Sequence, residues 1–115
     1  MSFTPHLQTL SAQLSVAAQL EPSDMAWAAA QGFRSVINNR PDFEGGDDQP
    51  TNAAVQAAAQ AAGLKYAFLP VDPSFQTAEE ISEFAVLLAT LPAPVLAYCR
   101  SGTRSGKLYH ATKLR

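Results

Sequence analysis

Two rhythms of apolar and polar positions run along the chain. From Leu7 to Leu20, LQTLSAQLSVAAQL sets Leu10, Leu14 and Val16 among polar residues and predicts two short strands. EPSDMAWAAAQG then carries helix punctuation: Pro22 and Ser23 open it, Asp24 falls in the first turn, and Gly32 closes it. Phe33–Ile37 reads as a strand. Asn38 to Pro50, NNRPDFEGGDDQP, is rich in Gly, Pro and acid and reads as one long surface loop. Thr51 to Ala62 is Ala-rich and stops at Gly63, the pattern of a helix. Leu64 to Val71 is the next strand. Thr77 and Glu80 form a capping box, and Ile81, Phe84, Ala85, Leu88 and Leu91 follow at helical spacing. Pro92-Ala93-Pro94 breaks that helix. Val95–Tyr98 is a short apolar run that reads as a buried strand, and after CRSGTRSG a last helix reaches Arg115.

Strands alternating with helices predict an α/β fold with a mostly parallel central sheet flanked by helices. Right-handed crossovers place the strand C-terminal ends on one side, where such folds bind ligands. That rule points to Asn38–Asp42, Val71–Phe75 and Cys99–Ser105. Trp27, Phe33, Phe68 and Phe84 are expected in the core.

Composition narrows the function classes. The 115 residues are 47% hydrophobic and 16% charged, which predicts one folded domain over residues 1–115. A net charge of −2 argues against a nucleic-acid grip. No apolar run approaches the roughly 18–20 residues that span a bilayer. MSFTPHLQTL lacks the basic and apolar regions of a signal peptide. One cysteine excludes an internal disulfide and makes a cytoplasmic location the expectation. With His6 and His110 far from it, no zinc site is expected, and no cofactor is implied.

The chemistry concentrates in Cys99-Arg100-Ser101-Gly102-Thr103-Arg104-Ser105, between a strand and a helix. Such a turn points backbone N–H groups inward, and with the positive helix end they form an anion cradle. Gly102 supplies the backbone freedom. Donors around Cys99 favour its thiolate, and Arg104 offers a planar grip on a tetrahedral oxyanion. Ser105 is placed to donate to the thiolate. Arg100 is expected to point away from the cradle, towards an acidic neighbour. A lone cysteine after an apolar strand is usually a structural residue; the CxxGxRS string in this context favours catalysis.

Asp72 follows a strand and is a general-acid candidate, although Asp-Pro-Ser is also ordinary turn chemistry. Pro73 would stiffen that loop. Phe75 is either a pocket wall or core. Asp42 and Glu44 are rival acids, and Arg40 and Asp42 are rim candidates, with a solvated loop of local ion pairs as the preferred alternative. Glu44, Asp47 and Asp48 are expected to face solvent, since they would repel an anionic substrate.

VLAYCRSGTRS resembles the active loop of protein tyrosine and dual-specificity phosphatases, and also that of rhodanese sulfurtransferases. With GFRSVINNRPD, the Ala-rich helix and AAGLKYAFLPVD, the chain from about Leu10 to its last helix resembles the beta-lactamase hydrolase-like protein, phosphatase-like domain family (DUF442). The resemblance implies a three-layer dual-specificity-phosphatase-like fold, Cys99 as nucleophile, Arg104 as phosphate-binding arginine and Ser105 as the hydroxyl after it. Asp72 matches the general acid's place. Four residues separate Cys99 from Arg104 where the phosphatase loop has five, and Tyr98 stands where His is common. The shorter ring is closer to a rhodanese loop.

Three functions follow. The first is hydrolysis of phosphoesters through a phosphocysteine. The second is sulfur transfer through a Cys99 persulfide. The third is a non-catalytic anion-binding or redox-sensing module. Each takes a small anionic partner. Related domains continue with a further helix, so this chain is expected either to be trimmed at its C-terminal end or to expose core surface there that suits a partner or a homo-oligomer.

Overall fold

The computed structural model describes residues 5–114. In chain order the elements are β1 (Leu7–Thr9), β2 (Leu14–Ala17), α1 (Asp24–Ala30), β3 (Ser35–Asn38), a 3-10 turn (Gly46–Asp48), α2 (Asn52–Ala61), β4 (Lys65–Phe68), α3 (Ala78–Thr90), β5 (Val95–Tyr98) and α4 (Thr103–Lys113). The sheet order is β1-β2-β5-β3-β4. β1 pairs antiparallel with β2, and all other neighbours are parallel. The alternation of strand and helix in the sequence therefore becomes parallel crossovers, with the antiparallel pair confined to one edge.

Side-chain alternation along the strands builds two cores. Val95 and Ala97 of β5, Leu14 and Val16 of β2 and Ile37 of β3 pack with Phe84 of α3 and Leu108 of α4. Leu96, Tyr98, Ala17 and Val36 face the other way, onto Met25 and Ala28 of α1 and Val55 and Ala59 of α2. Successive side chains of a strand point to opposite faces, so a strand buried on both sides must be apolar throughout, as VLAY is. The result is helix, sheet, helix: the expected three layers. Each large apolar side chain buried this way contributes about 1.5–3 kcal/mol.

Several boundaries differ from the sequence reading. β4 is shorter than Leu64–Val71. After Phe68 the Leu69 and Val71 amides bond to the Asn38 and Asn39 carbonyls as the chain leaves the sheet. Phe68 ends an edge strand and is 38% exposed, not core. The stretch from Asn38 is not wholly a surface loop: Asn38 closes β3, and Asn39, Arg40 and Gln49 are buried. Arg115, where the last helix was expected to end, lies outside the described residues, as does the start of MSFTPHLQTL. Among the described residues no helix is long and apolar enough to cross a membrane.

Candidate active site

Parallel register brings three strand ends together. Ala17 of β2 and Asn38 of β3 both stand beside Tyr98 of β5. Cys99 follows Tyr98 and is buried, its N–H bonded to the Ala17 carbonyl at 3.3 Å. Gly102 then turns at φ 90°, and its N–H reaches Cys99 Sγ at 3.1 Å. A side chain at Gly102 would be strained at that φ, and its Cβ would lie 3.4 Å from the Ala17 carbonyl. Gly102 caps α4, so the thiol sits beneath the positive end of a helix of 11 residues. The outer hydroxyls, Ser101 and Thr103, are exposed and bond each other at 3.1 Å.

Arg104, in the first turn of α4, is 7% exposed. Its Nη1 donates to the Val71 carbonyl at 3.0 Å and the Asn39 carbonyl at 3.4 Å. Its Nη2 donates to Glu44 Oε1 at 3.0 Å, while its Nε is buried with no partner. The same Glu44 oxygen accepts from Arg40 Nε at 2.9 Å. Glu44 is an exposed residue, as the sequence suggested, but its carboxylate turns in to join two arginines. Burial pushes its carboxyl up, but the hydrogen bonds and charges of Arg104 and Arg40 outweigh that and hold it below the ordinary value. Arg40 is not on a solvated loop. It is buried, its Nη1 donates to Gln19 at 3.1 Å, and it passes so close to Gly45 that a Cβ there would fall 2.6 Å from Nη2.

Arg40, Glu44, Gly45, Pro73, Arg100 and Arg104 line one cavity of about 500 Å³. Arg100 thus does not turn to an acidic neighbour; it lies on the lining with Arg104. Phe75, 68% exposed, is neither core nor part of this lining, and opens onto a separate hollow with Gln76 and Lys107. Asp42 is not on the rim: its Oδ1 accepts the Asn52 N–H at 2.7 Å at the start of α2. Asp72 is exposed beside Pro73. Its Oδ1 accepts from the Ser74 hydroxyl at 2.7 Å and the Ser74 N–H at 2.8 Å, and these bonds keep its carboxyl below the ordinary value.

Ser105 differs from expectation. Its hydroxyl donates to Asn39 Oδ1 at 2.8 Å rather than to the thiolate. Asn39, which the sequence reading passed over, is a hub. Its Nδ2 donates to the Leu69 carbonyl at 2.9 Å, its N–H to the Tyr98 carbonyl at 2.8 Å, and its own carbonyl accepts from Arg104 and Val71. Gln76, also unforeseen, donates to the Arg104 carbonyl at 3.1 Å. The available signal was position: both Asn39 and Arg40 fall at a strand end on the ligand-binding edge. Behind Cys99, burial pushes the Tyr98 hydroxyl well above tyrosine's ordinary value. Tyr66 and Gln19 lie near that hydroxyl, but neither completes a hydrogen bond to it. Among the described residues no group of three or more His, Cys, Asp or Glu is placed to hold a metal ion.

The chain is similar to known proteins over most of its length. The family model described as "Beta-lactamase hydrolase-like protein, phosphatase-like domain" matches residues 6–114. The beta-lactamase hydrolase-like protein of Agrobacterium fabrum is 40% identical over 100 residues, which is 87% of this chain and 23% of that protein. The chain thus spans about a quarter of that relative's length. A candidate phosphatase of Neisseria meningitidis superimposes with a TM-score of 0.84 at 31% identity, over 91% of this chain and 74% of the other. A second, from Shewanella putrefaciens, gives 0.75 at 22% identity, over 90% and 64%, and shares the fold.

Proposed function

Because this chain belongs to the beta-lactamase hydrolase-like protein, phosphatase-like domain family, we propose that it is a cysteine-dependent phosphohydrolase. One observation carries the reading: a buried Cys99 that accepts the Gly102 amide, under a helix start, with the buried Arg104 keeping one N–H unpartnered. A buried donor without an acceptor is costly, and a bound oxyanion removes that cost. In this reading the Cys99 thiolate attacks phosphorus in line. The loop amides and Arg104 stabilise charge on the equatorial oxygens. The bond to the leaving oxygen breaks, and water then cleaves the phosphocysteine and restores the thiolate. Asp72 is the acid that the family resemblance offers. Its bonds to Ser74 favour the ionised form, so the site best serves leaving groups that depart without a proton.

The test is release of p-nitrophenol from its phosphate ester by the wild type and by Cys99→Ser. Turnover that vanishes with serine is expected. Turnover that persists would remove Cys99 as nucleophile.

The short ring favours a second reading, sulfur transfer. Four residues close the loop, and the leaving sulfite of a thiosulfate donor needs no acid. Treatment with thiosulfate would then add about 32 Da to the intact mass, one sulfur on Cys99. An unchanged mass would count against it.

A further inference from the structure

An alkyl phosphate ester needs a proton on its leaving oxygen. The lining of the arginine cavity holds no group suited to give one. Its only carboxylate, Glu44, is held ionised between Arg40 and Arg104. Asp72, next to Pro73 of the lining, has its Oδ1 tied to Ser74, and those bonds together with the charge of Arg104 favour its ionised form. No aromatic ring contributes to the lining either, so nothing there stacks on an aryl ester. What the cavity does offer is cations. One carboxylate is shared by two of its three arginines, and the third, Arg100, is exposed with no side-chain hydrogen bond or ion pair among the described residues. Beside it, the buried Arg104 keeps its unpartnered Nε.

We propose that the substrate is a phosphoanhydride. Its terminal phosphoryl group is taken by the Cys99 loop and Arg104, and its leaving group is itself a phosphate that Arg100 binds. This rests on the phosphohydrolase reading of the same site. The chemistry balances without an acid. The thiolate forms an S–P bond with the terminal phosphorus, and the bridging P–O bond breaks with its electron pair going to the departing phosphate, which is stable as an anion. Water then adds to the phosphocysteine phosphorus, the S–P pair returns to sulfur, and both water protons stay on the released orthophosphate. Arg100 makes the preference geometric as well as electronic, since a guanidinium grips phosphate with two parallel hydrogen bonds.

The experiment compares inorganic pyrophosphate, p-nitrophenyl phosphate and glycerol 3-phosphate as substrates of the full chain. In parallel, calorimetry measures binding of methylenebisphosphonate and orthophosphate. Pyrophosphate is expected to exceed glycerol 3-phosphate by about a hundredfold in kcat/KM, and the bisphosphonate to bind about tenfold tighter than orthophosphate. Arg100→Ala should remove most of that binding ratio, and Arg100→Lys should keep part of it. Cys99-dependent turnover of p-nitrophenyl phosphate with none of pyrophosphate would overturn the anhydride proposal alone. No Cys99-dependent turnover of any of the three would overturn the phosphohydrolase reading and this proposal with it. A binding ratio unmoved by Arg100→Ala would overturn the role of Arg100.

Discussion

A single oxygen of Glu44 accepts from Arg40 and Arg104, and this contact joins residues 60 positions apart. Its pH consequence follows from the lowered carboxyl. Folding favours the ionised form, so its contribution is present above the ordinary carboxylate value of 4.5 and fades as the pH falls through the lower native value. Glu44→Gln should therefore be less stable than wild type at neutral pH, with the gap narrowing below about pH 4.5 in urea titrations read at several pH values. A gap that does not change with pH would mean the carboxylate is not ionised in the pair. Asn39 calls for a different change. Asn39→Asp keeps an acceptor for Ser105 but aims an oxygen at the Leu69 carbonyl. It should cost roughly 2–3 kcal/mol in chemical denaturation, the scale of leaving buried polar groups unpaired. Neither role was legible in the sequence. Cys99, Gly102 and Arg104 stood out because they are neighbours in one loop. Glu44 and Asn39 act on that loop from the segment after β3, through contacts that only the folded chain creates.

Elements were more legible than their ends. α3 shows why: its start is written locally, as Thr77 accepting the Glu80 N–H at 3.1 Å and Glu80 returning to the Thr77 N–H at 2.8 Å. Thr77→Ala should cost about 1 kcal/mol, visible as a lower thermal midpoint. Phe84, the α3 residue wholly buried against the sheet, should cost about 3–5 kcal/mol when changed to Ala. The α1 start is closed by a different bond. Ser23 makes no capping bond there; Asp24 accepts the Glu21 N–H at 2.7 Å instead. Strand ends are not written locally. An apolar run such as LKYAFLPV does not say where pairing stops, because Leu69 and Val71 are buried after β4 has ended, and Phe68 is apolar yet open at the sheet's edge. Asn38 opens a polar stretch that reads as loop. It ends β3 because its amide finds Tyr66, whose hydroxyl in turn donates to Asn52.

Across the molecule, strand and helix alternation announced a parallel sheet and a binding edge, but not the order of strands. Sequence neighbours do not predict that β5 enters between β2 and β3, because that choice is made by which apolar strand both faces can cover. The central place of β5 bears on how the protein opens. Each side of β5 has four register pairs, and its side chains are at most 1% exposed. Fraying must begin at the edges, in β1 or β4. In deuterium exchange, the amides of Leu96, Ala97 and Tyr98 should be among the slowest, exchanging only when the whole sheet opens. Fast exchange there would show a sheet that splits along β5. The nucleophile candidate is anchored directly to that strand, so no half-open state can keep the sheet and let Cys99 drift: catalytic competence and the native fold should be lost in a single transition.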